Sequence, residues 1–242
     1  MQTTKLQEYF PMLKSRAEIL ETINKRESLT RKFYSWEKKR QKEFLDFCSG
    51  VRGVKMLYDE IPNKLNPYDY EAFNRYQGRA YAVVTNIRTG QPEYLRLKDM
   101  HRDIAAVQAS ASLPLVSRNV EINGELYLDG GLSDSVPIRH SIVEGNRKNV
   151  VVLTKEEGYR RKPSSNLGLI RLRYAKYPKV YELMANRHVE YNHMLDYLEA
   201  QVKNGQAFVI RPSESSDVGR IEKDQEKLRA LYELGYRDAE NS

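Results

Sequence analysis

The fold is decided by the stretch Leu126-Tyr127-Leu128-Asp129-Gly130-Gly131-Leu132-Ser133-Asp134-Ser135-Val136-Pro137-Ile138. An apolar, strand-like run ends on a carboxylate, two glycines follow, and a proline precedes a helix-like segment. This order predicts that Asp129 lies at the carboxyl end of a strand, where open α/β sheets bind their ligands. Gly130 and Gly131 allow backbone, ligand or nucleophile to approach that carboxylate closely. Because Asp-Gly and Gly-Gly are also ordinary turn dipeptides, the flanking sequence has to decide between a turn and a site.

Strand-like and helix-like segments alternate on both sides of this stretch. Runs rich in β-formers predict strands at 80–86, 94–97, 120–122, 126–128, 149–154 and 207–210, and helices are predicted at 103–112, 179–203 and 220–235. Asn123-Gly124 predicts a tight hairpin between two of the strands. The alternation favours an α/β fold, which we interpret as a mainly parallel sheet with helices on both faces and one antiparallel hairpin.

Composition narrows the class of protein. The 242 residues are 40% hydrophobic and 30% charged, and they contain no apolar run long enough to span a bilayer. The first residues lack the apolar core of a secretory signal. Cys48 is the only cysteine, which excludes an internal disulfide and a four-cysteine metal site. We therefore expect a protein of the reduced cytoplasm.

The net charge of +7 is concentrated at the front of the chain. Residues 1–57 hold 13 Lys or Arg and 7 Asp or Glu, whereas the remainder holds 27 basic and 26 acidic residues. A basic helical segment attracts nucleic acid or anionic lipid, and it is also typical of a solvated helix surface. Both interpretations of residues 1–57 stay open on charge alone.

Several motifs in one order carry a resemblance to a known family. They are the run Gln108–Pro114, the Asn-Gly hairpin, the stretch from Tyr127 to Ile138, the segment Tyr58–Tyr70 and a tail with Arg187-His188. Together they make residues 58–242 resemble the patatin-like phospholipases, most closely their bacterial branch. The resemblance implies a three-layer α/β hydrolase fold.

The resemblance also implies the chemistry. In that family a serine on a G-x-S-x-G elbow attacks a lipid ester, and the Asp of a D-G-[GA] motif serves as its base in a two-residue dyad. Asp129 matches that base, while Gly130, Gly131, Ser110 and Pro114 are implied as motif and pocket-lining residues. Implied partners are a lipid or ester substrate and a peripheral membrane contact. The family implies no cofactor and no metal.

The expected nucleophile has no counterpart in this sequence. No G-x-S-x-G occurs, and Gly131-Leu132-Ser133-Asp134-Ser135 lacks the closing glycine. We interpret Ser110, Ser112, Ser133 and Ser135 as turn and pocket-wall residues. The sequence therefore predicts a hydrolase domain incomplete at its amino-terminal side and inactive alone, so whether the chain is an enzyme stays undecided.

Residues 1–57 resemble something else. Glu43–Asp59 is similar to the helical lead of recombination-promoting nucleases and putative transposases, which places a boundary between a basic lead at 1–57 and the hydrolase part at 58–242. This resemblance supports an alternative function, that of a nucleic-acid-associated protein of mobile-element origin. A helical lead native to the hydrolase is the other interpretation.

The histidines provide weaker candidates. His188 and His193 are five residues apart, whereas a helical zinc pair needs a spacing of four, so we expect no metal site there. His140 follows Asp129 closely in sequence and is a candidate base or a histidine on a helix surface.

Overall fold

The computed structural model describes residues 54–216, 218, 222 and 224–242. Apart from residues 54–57, the predicted lead segment lies outside the described residues. The described elements begin with a π-helical segment at Met56–Leu65 and continue in chain order with α1 (Tyr70–Arg75), β1 (Ala80–Asn86), β2 (Pro92–Leu97), α2 (Met100–Ser110), β3 (Val120–Ile122), β4 (Glu125–Asp129), a 3₁₀ turn (Gly130–Leu132), α3 (Ile138–Val143), β5 (Asn149–Val152), α4 (Leu167–Arg173), α5 (Pro178–Lys203), β6 (Ala207–Ile210) and α6 (Gln225–Glu240).

The main sheet has four strands in the order β2-β1-β4-β3, and every neighbouring pair is antiparallel. The chain is therefore α/β as predicted, but the predicted mainly parallel sheet is not confirmed. Two tight connections explain the direction within two of the three pairs, β1 with β2 and β3 with β4. Residues 87–91 join β1 to β2, and Asn123 and Gly124 join β3 to β4 with positive φ values of 52° and 80°. Hairpins this short permit only antiparallel neighbours.

Among the described residues, one further pair of strands is parallel. Strand β5 pairs with β6 in parallel, with Asn149 opposite Ala207. In this pair Val150 and Val152 are 37% and 70% exposed, because a pair of strands covers few of its own side chains.

The described residues fall into two compact units. One contains residues 54–140 and 160–197, and thus the four-stranded sheet, α1, α2, α4 and most of α5. The other contains the described residues among 141–159 and 198–242, including β5, β6 and α6. We refer to them as the sheet unit and the parallel-pair unit.

The sheet unit has two apolar clusters, one of which lies beneath the Asp-Gly-Gly turn. This cluster consists of Ile87, Leu128, Leu132, Ile170, Tyr174 and Val180. Each of its members is at most 4% exposed. It joins the end of β4 to α4 and to the start of α5, so burial of these side chains holds the turn in place.

Candidate active site

Asp129 is the last residue of β4, and its backbone and side chain are both held. Its carboxylate Oδ1 accepts a hydrogen bond from the Gly131 N–H at 2.7 Å, so Asp129 caps the 3₁₀ turn that follows. Its own N–H donates to the Ser112 carbonyl at 2.9 Å, and its carbonyl accepts a bond from the Thr85 hydroxyl at 2.8 Å. The structure thus places Asp129 at the carboxyl end of a strand, as the sequence predicted.

The two glycines after Asp129 are close to different neighbours. A Cβ on Gly130 would stand 2.3 Å from the backbone carbonyl oxygen of Val83, a distance that no side chain tolerates. A Cβ on Gly131 would stand 3.1 Å from Nη2 of Arg187 and 3.2 Å from the carboxylate of Asp129. Gly130 therefore allows the turn to pack on the backbone of β1, whereas Gly131 keeps space beside the carboxylate.

Ser110 and Pro114 lie on either side of Ser112 in the sequence, and Ser112 is the residue that contacts Asp129. Ser110 is the last residue of α2, and Pro114 lies in the loop that follows; both are half-buried. The contact with Asp129 is made by the backbone carbonyl of Ser112, between them. The structure thus brings Ser112 to the end of β4, while the pocket-lining role of Ser110 and Pro114 stays a prediction.

The hydroxyl groups around Asp129 direct their protons elsewhere. Because Thr85 donates its proton to the Asp129 carbonyl, the 2.8 Å bond between Thr85 and Ser133 has Ser133 as its donor. Ser112 and Ser135 donate to backbone carbonyls one helical turn earlier, at 2.8 Å and 2.7 Å. Within the described parts of the chain, no serine or threonine hydroxyl donates to the Asp129 carboxylate.

Arg187 brings a positive charge to the Asp-Gly-Gly turn from α5. Its Nε donates to the carbonyl of Gly131 at 2.7 Å, and its Nη2 lies next to the space that Gly131 keeps open. In the sequence, Arg187 belongs to the tail that carries the family resemblance, and no role is predicted for it. No local pattern marks it, because the contact joins residues 56 positions apart.

A small cavity opens beside the turn in the sheet unit. It has a volume of about 210 Å³, smaller than the roughly 300–1,000 Å³ that is typical of ligand pockets. Its lining combines the two serines of the turn with apolar, aromatic and charged side chains, namely Pro92, Tyr94, Leu132, Ser133, Asp134, Ser135, Arg139, Arg187, Glu190, Tyr191, His193 and Met194. Of the residues predicted as turn or pocket-wall positions, Ser133 and Ser135 belong to this set, whereas Ser110, Ser112, Pro114, Gly130 and Gly131 do not. Asp129 does not belong to it either.

His140 lies in an aromatic environment. Its ring stacks on Tyr94 with centroids 3.6 Å apart and meets Tyr81 edge-on at 5.5 Å. Its buried Nε2 has no hydrogen-bond partner among the described residues. Tyr94 in turn donates to Asp134 at 2.6 Å, and burial together with this carboxylate raises the pKa of the Tyr94 phenol well above its usual range.

The described residues contain neither a metal-binding cluster nor a helix that could span a membrane. In the part of the chain that the structure describes, no group of three or more His, Cys, Asp or Glu side chains is placed to bind a metal ion. None of the described helices combines the length and the apolar character that crossing a bilayer requires.

Comparison with known families gives two matches along the chain. The model of the patatin-like phospholipases matches residues 13–142, more than half of the sequence, and includes Asp129. The model of a domain of unknown function (DUF6363) matches residues 177–242 and includes Arg187. No curated protein matches the chain.

The first match begins inside the segment predicted to be a separate lead. It starts at residue 13, whereas the predicted boundary lies at residue 58. The resemblance of residues 1–57 to transposase-type proteins, the bacterial branch and the boundary itself stay predictions.

Proposed function

Because the chain belongs to the patatin-like phospholipase family, we propose that it is a lipid acyl hydrolase domain in which Asp129 is the base of a Ser-Asp dyad. The observation that carries this proposal is the position of Asp129 at the end of β4, with one carboxylate oxygen held by the Gly131 N–H at 2.7 Å. Its substrate would be a phospholipid or another lipid ester, and its setting the reduced cytoplasm, which the single cysteine supports.

The role of Asp129 follows from the chemistry of ester cleavage. A serine hydroxyl is a weak nucleophile until a neighbouring base accepts its proton. One ionised carboxylate has about four acceptor positions, and the Gly131 N–H occupies one of them. That bond would fix the orientation of the carboxylate, and the remaining positions would take the proton of the nucleophile and later activate water for attack on the acyl-enzyme.

We further propose that the 242 residues do not hydrolyse esters alone. The G-x-S-x-G motif is absent from them, and Ser112, Ser133 and Ser135 commit their protons to other oxygens. The chain would then be a partial copy that retains the base and its turn, incomplete at its amino-terminal side as the sequence predicts.

An ester assay with two variants tests both proposals, the role of Asp129 as the base and the lack of hydrolysis by the chain alone. We expect the full chain to show no saturable hydrolysis of a short-chain p-nitrophenyl ester and no labelling by a fluorophosphonate probe. Added methanol supplies an external hydroxyl, and we expect methanolysis to be faster with the unsubstituted chain than with Asp129→Asn. Ser133→Ala is the matched control and should leave that difference unchanged.

Two results would count against the proposal. Saturable hydrolysis lost in Ser133→Ala or Ser135→Ala would show that a serine of the turn replaces the missing nucleophile. Equal methanolysis by the unsubstituted chain and Asp129→Asn would remove Asp129 as the base.

The charge of the first 57 residues favours a second candidate function. Their surplus of six positive charges, including Lys38-Lys39-Arg40, suits a nucleic-acid-associated protein of mobile-element origin. We expect such binding to weaken steeply with salt and to fall in the Lys38→Gln/Lys39→Gln/Arg40→Gln variant of the full chain. Absence of DNA binding at low salt would eliminate this candidate.

A further inference from the structure

Helix α4 leaves two leucines in solvent on the face opposite its buried one. Leu169 and Leu172 are 60% and 78% exposed, whereas Ile170 and Tyr174 are 1% exposed and belong to the cluster beneath the Asp-Gly-Gly turn. At about 100° per residue, the two leucines lie about 60° apart and point away from Ile170 and Tyr174. Burial thus anchors α4 on one side and presents paired leucines on the other.

Positive charges surround these leucines. Residues 160–181 contain seven Lys or Arg and no Asp or Glu. On the helical wheel Arg173 falls beside Leu169, and Arg171 follows on the other flank of Leu172. Arg171, Arg173 and Lys176 are exposed and form no ion pair with any described residue. We call Leu169, Arg171, Leu172 and Arg173 of α4, together with Lys176 three residues beyond its end, the leucine-arginine face.

We propose that the leucine-arginine face is a docking surface for an anionic lipid bilayer. Exposed leucines between cations are the arrangement with which interfacial helices insert apolar side chains while Lys and Arg contact acidic headgroups. The inference rests on the proposed function, since a lipid acyl hydrolase has to reach its substrate at a membrane surface. The leucine-arginine face itself contains no residue of the proposed dyad.

Charge distinguishes the bilayer from other occupants of this face. A second copy would bring the same cations and be repelled, and residues 1–57 of the same chain carry a surplus of six positive charges. A nucleic acid would neutralise the cations but gain little from two leucines in solvent. An acidic lipid surface satisfies both kinds of side chain.

Vesicle co-sedimentation of the full chain tests the proposal. The vesicles contain ether-linked phosphatidylserine and phosphatidylcholine, which hold no carboxylic ester, so the result does not depend on hydrolysis. We expect binding to the mixed vesicles and none to phosphatidylcholine alone. Arg171→Gln/Arg173→Gln/Lys176→Gln should lower the affinity about a hundredfold, at about fivefold per cation, and Leu169→Ser/Leu172→Ser about tenfold.

Control variants show whether binding depends on this face or only on net charge and exposed apolar side chains anywhere in the chain. Arg75→Gln/Arg96→Gln/Arg147→Gln removes three exposed cations from other elements and should change binding little beyond the loss of net charge. Val152→Ser removes a 70% exposed apolar side chain from β5 and should leave binding unchanged. Asp129→Asn should bind vesicles as the unsubstituted chain does, so the test of this face does not depend on whether Asp129 is the base.

Three outcomes would overturn the proposal. The first is failure to bind anionic vesicles at low salt. The second is that vesicle binding is lost in the cation variant but not in the leucine variant, and that DNA competes with the vesicles for the chain. This result would assign the face to nucleic acid. The third is a lower melting temperature of Leu169→Ser/Leu172→Ser with unchanged vesicle binding, which would show that the chain itself covers these leucines.

Discussion

Substitution of Gly130 by alanine should destabilise the sheet unit by forcing the Asp-Gly-Gly turn away from β1. The added Cβ would lie 2.3 Å from the carbonyl oxygen, 2.5 Å from the carbonyl carbon and 2.7 Å from Cγ1 of Val83. Two of these atoms are backbone atoms of a strand that pairs on both sides, with β2 and with β4. The strand cannot turn aside as a flexible side chain would, so the turn itself has to move.

The magnitude follows from the depth of this overlap. Overpacking a core costs about 1–3 kcal/mol, and a contact with backbone at 2.3 Å places Gly130→Ala at the upper end, near ~3 kcal/mol. For a chain of this size about 3 kcal/mol lowers the melting temperature by roughly 6–12 °C. The same shift would carry Asp129 with it, because the Gly131 N–H that holds its carboxylate moves with the turn.

Thermal melts followed by circular dichroism check this prediction against three other glycines. Gly131→Ala meets only the ends of the Arg187 and Asp129 side chains and should cost about 1 kcal/mol or less. At Gly168 and Gly235, both inside helices, a Cβ meets nothing within 4 Å, so alanine should stabilise by about 0.5–1 kcal/mol. If Gly130→Ala melts together with the unsubstituted chain, the inferred contact with Val83 is wrong.

Three further predictions concern hydrogen bonds made by individual side chains. Burial and the Glu93 carboxylate raise the pKa of Tyr127 to about 12, so the contribution of this phenol to stability should be complete below about pH 10 and lost toward pH 12. Tyr127→Phe should therefore reduce the fall of the melting temperature between about pH 10 and pH 12, and an identical fall in both proteins would contradict the prediction. Arg187→Met removes the 2.7 Å bond to the Gly131 carbonyl and should cost about 2 kcal/mol in urea unfolding, whereas no change would mean that water replaces the guanidinium. Asn149→Ala removes a buried side chain that accepts a hydrogen bond from Ser141 and donates to the Asn146 carbonyl, and it should cost about 1–3 kcal/mol, seen as faster amide exchange in β5 and β6; exchange at the original rate would refute it.

Local sequence patterns predicted most of the strands because the signals for them are local. Strands β1 and β6 occupy the predicted residues 80–86 and 207–210. The Asn-Gly hairpin forms as expected, with Asn123 and Gly124 at positive φ. The long helix predicted at 179–203 is α5, which begins one residue earlier. In each case the residues that determine the element lie within it or next to it.

Sheet direction and the surroundings of Asp129 were not predictable in the same way. Whether β4 pairs with β1 in parallel or antiparallel depends on a connection of some forty residues, which local periodicity does not describe. The contact of Arg187 with Gly131 depends on where α5 packs. The π-helical segment at Met56–Leu65, which contains Pro62, has no counterpart among the predicted helices. The position of Asp129 at a strand end was predictable, whereas its neighbours required the tertiary structure.

The bond between Arg187 and Gly131 has a consequence for inheritance. One partner lies in the segment that matches the patatin-like phospholipases and the other in the segment that matches a domain of unknown function. The cluster beneath the turn likewise joins Leu128 and Leu132 to Val180. A gene rearrangement that exchanged either segment would deprive the turn of its guanidinium and part of its apolar support. The two segments therefore have to be inherited as a pair for Asp129 to keep its geometry.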